Sequence, residues 1–137
     1  QKINTDFNFS IKIDSLYNVH QYAKAGLMIR KSLNSNSAHG LINMFPSGNT
    51  EFGYRKNNGE TMEAKSGPQI DLTDARLKIK KSGKIIEFFV LSSNDWKKLG
   101  ELNVSKWGKS FYVGIATLSH DNSQLTKAQY SEIVLTN

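Results

Sequence analysis

Apolar residues recur at every second position along most of this chain, and no stretch sustains a helical period for three turns. Side chains alternate across a strand but return roughly every 3.6 residues on a helix, so the pattern restricts the chain to strands joined by turns. Phe7, Phe9, Ile11 and Ile13 alternate with Asn8, Ser10, Lys12 and Asp14, and Leu77 and Ile79 alternate with Arg76, Lys78 and Lys80. The stretch 85–91, IIEFFVL, is apolar on both sides except at Glu87 and reads as a central strand. Turn chemistry separates these runs at Pro46-Ser47-Gly48-Asn49, Asn57-Asn58-Gly59, Ser82-Gly83 and Ser92-Ser93-Asn94-Asp95. About ten short strands are predicted, which fold as an all-β, antiparallel sandwich. The length of 137 residues suits one domain over 1–137, with no linker and no internal repeat.

Two strands carry more than a core pattern. In 22–30, YAKAGLMIR, Ala25, Leu27 and Ile29 fall on one side, and Gly26, Met28 and Arg30 on the other. In 111–118, FYVGIATL, Val113 and Ile115 oppose Tyr112, Gly114 and Ala116. Glycine inside a strand weakens it unless the space is needed. Gly26, Gly53, Gly114 and Ala116 all lie out of phase with the large apolar residues, and Arg30, Glu51, Arg55 and Tyr112 share their phase. Two readings stand: a shallow binding groove, or a sheet bend covered by a loop. For Arg30 two roles compete, an internal ion pair with Glu51 or Glu87 and a planar donor fork for sugar hydroxyls or a uronate.

Trp107 lies in a polar loop, WGKS, where an indole suits either stacking on a sugar ring or a structural role. Trp96 is expected in the core beside Leu99, Tyr54 at the rim of the groove, and 31–38, KSLNSNSA, as a plain surface loop. His20, His39 and His120 have no metal-ligand spacing, so no metal site and no cofactor are expected. Calcium is the one ion that Asp121 and Asn122 would suit, and the expected role of Ser119-His120-Asp121 is to fix its loop. Only Glu51 and Glu87 are carboxylates within apolar strands, and nothing sets them across a cleft as glycoside hydrolysis requires. No serine triad or phosphate loop is present, so no enzyme is expected. The net charge of +6 is scattered, which argues against nucleic acid and leaves an acidic polysaccharide open. There is no cysteine and no apolar run long enough to span a membrane.

The segments AKAGLMIR, FGYRKNNG, IIEFFVLSSNDWKKLG and FYVGIATLSHDN together resemble the concanavalin A-like lectin/glucanase (laminin G-like) modules of bacterial multidomain secreted or surface proteins, of the AGxMIR … YVGxAxxSH type. The resemblance covers about Phe7 to Val134; Gly26, Met28 and Arg30 match the first motif, and Gly114, Ser119 and His120 the second. It implies a jelly-roll, concanavalin A-like sandwich with its ligand on the concave sheet. It also implies a noncatalytic accessory module that binds a polysaccharide or glycan, is secreted or cell-surface, and adjoins neighbouring domains of the same polypeptide. The candidate ligand residues are Arg30, Glu51, Arg55, Trp107, Tyr112 and His120. A structural or protein-docking module is the alternative, and a glucanase-like or lyase enzyme ranks last. Related modules begin with an additional strand before the one at Phe7, so a trimmed edge or one completed by a partner domain is expected.

Overall fold

The computed structural model describes residues 1–137. Strands β1 (Lys2–Ile3), β10 (Phe111–Leu118), β3 (Lys24–Arg30), β4 (His39–Met44), β5 (Thr50–Arg55) and β6 (Glu63–Ser66) form one six-stranded sheet in that spatial order. Strands β11 (Ala128–Thr136), β2 (Phe7–Leu16), β7 (Ala75–Ser82), β8 (Ile85–Ser92) and β9 (Asp95–Asn103) form a five-stranded partner. All the pairings are antiparallel. The result is an all-β antiparallel sandwich of the jelly-roll, concanavalin A-like class. No helix is long and apolar enough to cross a membrane.

The period of two puts one side of each strand between the sheets. Phe7, Phe9, Ile11 and Ile13 line the inner side of β2, and Ala25, Leu27 and Ile29 that of β3, all of them buried. Full burial of one such large side chain stabilises the fold by roughly 2 kcal/mol. Phe88 on β8 meets Phe52 on β5 with ring centres 4.4 Å apart, which joins the two layers at mid-core. Ser93 and Asn94 both have positive φ, 52° and 66°, so the predicted turn between β8 and β9 is a two-residue hairpin with the twist its strands need.

Three expectations need correction. A two-residue strand, β1, precedes Phe7 and pairs with Phe111 and Tyr112 of β10, so a short form of the additional strand is present. Asn57-Asn58-Gly59 does not close a tight hairpin: β6 starts only at Glu63. Asn58 Oδ1 instead accepts from the Ala38 amide at 2.9 Å, and the Gly59 amide donates to the Asn36 carbonyl at 2.8 Å, so this turn is spent on holding the 31–38 loop. Trp96 is not core. It pairs with Leu91 on the outer side of the five-stranded sheet and is 39% exposed, while Leu99 is buried. Three positions along a strand change faces, and the Lys78 ammonium lies 4.3 Å from the indole centre.

Candidate functional site

Strand register turns the shared phase of the small and charged residues into a surface. Across β10, β3, β4 and β5, Tyr112, Arg30, His39 and Arg55 stand in one row on the outer side of the six-stranded sheet. Gly114, Met28, Leu41 and Gly53 form the next row, and Ala116, Gly26, Asn43 and Glu51 the one after. Lys24, two positions before Gly26, extends the same side of β3 toward its start. Tyr54 faces the other way and stacks on Phe52 at 4.9 Å, inside rather than at the rim.

At one end of this face lie the arginines. Arg30 donates from Nε to the Ser32 carbonyl at 3.1 Å and from Nη2 to the Asn34 carbonyl at 2.7 Å. Arg55 donates from Nε to the Glu60 carbonyl at 2.8 Å and from Nη1 to the carbonyls of Ser35 at 3.1 Å and Ser37 at 3.3 Å. The internal carboxylate expected for Arg30 is not its partner: Glu51 pairs with Lys24 at 3.3 Å and Glu87 with Lys98 at 3.4 Å. Arg30 is a framework residue, but its acceptors are loop carbonyls, because the 31–38 loop folds back over the row and offers them within four residues. That loop is thus pinned from both sides. His39 is buried between the arginines, its Nδ1 3.1 Å from the Ser37 carbonyl. Burial chiefly, and then the charges of Arg30 and Arg55, push its imidazole below the usual range, against the Ser37 carbonyl, which raises it. Arg30 is lowered by burial and by the like charge of Arg55. Beside Arg30, a depression of about 290 Å³ is lined by Met28, Leu33, Tyr112, Gly114 and Ala116 among others.

The opposite end is neutral and aromatic. Tyr22, 49% exposed, meets Phe45 edge-on at 5.8 Å and His120 at 5.7 Å, and His20 lies 4.7 Å from His120. The Lys24 ammonium reaches Glu51 across β4 and also lies 5.7 Å from the Phe45 ring centre. Asn43, on the strand between them, is wholly buried, with no protein partner for its amide nitrogen or oxygen. A depression of about 660 Å³ opens here, lined by Tyr22, Phe45, Glu51, Asn18, Gln21 and Ser66 among others. Beyond His120, the Ser119 hydroxyl donates to the Asp121 carbonyl at 2.8 Å, and Asp121 Oδ1 accepts from the Ser123 amide at 2.8 Å, which fixes the loop as expected.

The sequence-selected residues therefore divide. Arg30, Arg55 and Tyr112 share one row, whereas Glu51 and His120 lie at the other end, and Trp107 belongs to neither. The sugar-stacking role weighed for Trp107 is corrected: the indole is 6% exposed, packs near Phe111 and donates from Nε1 to the Lys56 carbonyl at 3.1 Å. An indole has one donor, so a polar loop position leads it inward once a carbonyl satisfies that N–H. Glu51 and Glu87 stand on different sheets and are both ion-paired, so they do not flank a common cleft. Tyr22, Lys24, His39, Asn43 and Phe45 were missed, although each continues the phase of Gly26 or of Leu41 along its own segment.

The glycines of this face have two different reasons. A Cβ at Gly26 would collide with the Ile42 carbonyl and come within 2.8 Å of Asn43 Cα, so this glycine admits a neighbouring strand. A Cβ at Gly114 would meet nothing within 4 Å, so that position opens the depression beside Tyr112.

No protein-family model matches the chain, and no curated protein matches it in sequence. Among solved structures, a functionally unknown protein from Saccharomyces cerevisiae is similar over 99% of this chain and 71% of its own, at 13% identity and a TM-score of 0.73. The carbohydrate-binding module CBM66 from Bacillus subtilis is similar over 100% of this chain and 78% of its own, at 15% identity and a TM-score of 0.59. Sheep galectin-11, in a complex with glycerol, is similar over 99% of this chain and 95% of its own, at 10% identity and a TM-score of 0.55. At these identities the likeness is one of fold.

Proposed function

We propose that the chain is a noncatalytic carbohydrate-binding module that takes glycans on the outer face of its six-stranded sheet and the loops at its ends. The observation that carries this is the aromatic depression, where the half-exposed Tyr22 ring, with Phe45 beside it, adjoins the Glu51 carboxylate and the amides of Asn18 and Gln21. Apolar ring surface covers the C–H face of a sugar, and mixed donors and acceptors match its hydroxyls. The fold shared with CBM66 supports the reading. So does the separation of Glu51 from Glu87 onto different sheets, which keeps the two carboxylates of the apolar strands from flanking one glycosidic bond. Such a module acts in a secreted or cell-surface protein, next to further domains.

Calorimetric titration with neutral oligosaccharides, laminarin and xylan fragments among them, tests the proposal. Tyr22→Ala is expected to weaken binding by up to about tenfold, the worth of one stacked ring, with the melting temperature unchanged. Absence of binding at millimolar sugar sinks it. A second reading, a docking module, is favoured by one feature: the edge strand β11 exposes Ile133 and Val134, 54% and 48% accessible, beside an unpaired strand edge. A stable complex with a neighbouring domain that Val134→Lys disrupts, together with a silent glycan panel, would favour it.

A further inference from the structure

We infer that the arginine end of the outer face is a second subsite, one that takes an acidic group of a glycan, a uronate carboxylate or a sulfate ester. This rests on the reading of the chain as a glycan-binding module and names a ligand class for a part of the face that the aromatic depression does not use.

The first ground is charge. Of the three arginines, Arg76 pairs with Asp74 and Glu132, whereas Arg30 and Arg55 have no carboxylate partner. Their partners are backbone carbonyls and, for Arg30 Nη1, the Met28 sulfur at 3.5 Å, which accept hydrogen bonds but carry no net charge. The two guanidinium groups are close enough for the charge of Arg55 to disfavour that of Arg30, and the histidine between them is held toward its neutral form. The row thus keeps two positive charges without an anion. Lys2 adds a third at its margin, with its ammonium 5.9 Å from the Tyr112 ring centre.

The second ground is the shape beside that charge. The depression of about 290 Å³ has Arg30 in its wall, Tyr112 on one side and an open floor at Gly114. No carboxylate lines it. A neutral sugar hydroxyl both donates and accepts, and sites for neutral sugars supply both kinds of partner. Here the lining is mostly apolar, its polar side chains are the Arg30 guanidinium, the Tyr112 phenol and the Gln1 amide, and the one charged group among them only donates. Arg55 Nη2 makes no hydrogen bond, and a guanidinium has five N–H groups to give. A ligand that supplies only acceptors, in a planar or tripodal anion, fits this set. The other nitrogens of both guanidinium groups are held by the protein, so Arg55 Nη2 is the nitrogen with N–H groups to spare, and a charged donor favours an anionic oxygen over a neutral one. The other depression contains Glu51, already paired with Lys24, and offers no uncompensated positive charge to the same group.

The test is a calorimetric titration of the 137-residue chain with four probes: a galacturonate hexamer, the same hexamer fully methyl-esterified, a sulfated galactan oligomer of like length, and poly-glutamate. The expected result is that the free acid or the sulfate ester binds about tenfold or more tightly than the methyl ester, the worth of one charged hydrogen-bond pair, and that the advantage shrinks as salt rises. The free-acid and sulfate arms tell the two acidic groups apart. Lys2→Gln, Arg55→Gln and Arg30→Gln are each expected to reduce the advantage. If Arg30→Gln loosens the 31–38 loop and lowers the melting temperature, Lys2→Gln, whose ammonium lies only over a ring, carries the test. Equal binding of acid and ester, an advantage that survives all three substitutions, or binding of poly-glutamate with neither acidic glycan bound would overturn the inference. Failure of the neutral panel with the acid advantage intact would remove the aromatic site and leave this one.

Discussion

The two ends of one sheet face solve the same problem in opposite ways. Arg30 and Lys24 stand on the same side of β3, six residues or roughly 20 Å apart. Each carries a cation out of the core. Lys24 is neutralised by Glu51 from another strand, and exposed rings gather around the pair. Arg30 is held by carbonyls of the loop that follows it, and its charge stays unneutralised. The difference teaches that fixing a cation and neutralising it are separate acts. Carbonyls supply geometry, which braces the arginine end; a carboxylate supplies charge, which leaves the aromatic end electrically quiet and open to neutral ligands.

The sharpest way to break this comparison is through the tryptophans. Trp107 braces the arginine end through Lys56, next to Arg55, whereas Trp96 lies out on the other sheet. Trp107→Ala is expected to cost about 3–5 kcal/mol in denaturant unfolding, and Trp96→Ala less than about 1 kcal/mol. Equal losses would mean that Trp107 braces nothing. The glycines give a smaller contrast. Gly26→Ala forces β3 and β4 apart beside Asn43 and is expected to cost about 1–3 kcal/mol. Gly114→Ala enters open space and is expected to stay within about 0.5 kcal/mol of the parent. If the two unfold alike, the depression at Gly114 is not open.

The smallest effect is a slope with pH. The pKa of His39 is lower in the fold than its ordinary 6.5, so between those two values the unfolded chain binds more protons. Stability should therefore be level in this respect above pH 6.5 and fall as the pH drops from there toward the folded value. His39→Asn should lose that part of the slope, which comparison of melting temperatures across the window detects. An unchanged slope would mean that burial does not hold the imidazole below its ordinary range. An anion seated at Arg30 and Arg55 should remove only the smaller part of the slope that their charges contribute.

The alternation of apolar residues was enough to place the inner sides of β2, β3 and β7, that of β10 as far as Val113 but not at Ile115, which is 39% exposed, and the outward phase of Arg30, Glu51, Arg55 and Tyr112. Phase is a local property, set by the pleat of each strand, so it can be read without partners. Lys24 and Asn43 were equally readable by phase and were passed over because nothing in their residue type marks them, whereas Tyr22 was passed over although an aromatic ring on that phase suits a sugar. Trp107 and Trp96 were not readable in this way: residue type left Trp107 open between a sugar and a structural role and placed Trp96 in the core, whereas packing buried Trp107 and left Trp96 on the outer side of the five-stranded sheet.

What the sequence determined by itself is the class of fold and the side of each strand that meets water. Only the tertiary structure decided which outward residues are neighbours. Register placed His39 between Arg30 and Arg55, carried Lys24 over β4 to Glu51, and folded the 31–38 loop back so that its carbonyls took the place of the expected carboxylate. The physical reason is that a strand's two faces follow from bonds within the chain. The partner a charge finds depends on long-range pairing, and a one-residue change of register would exchange every neighbour on the face.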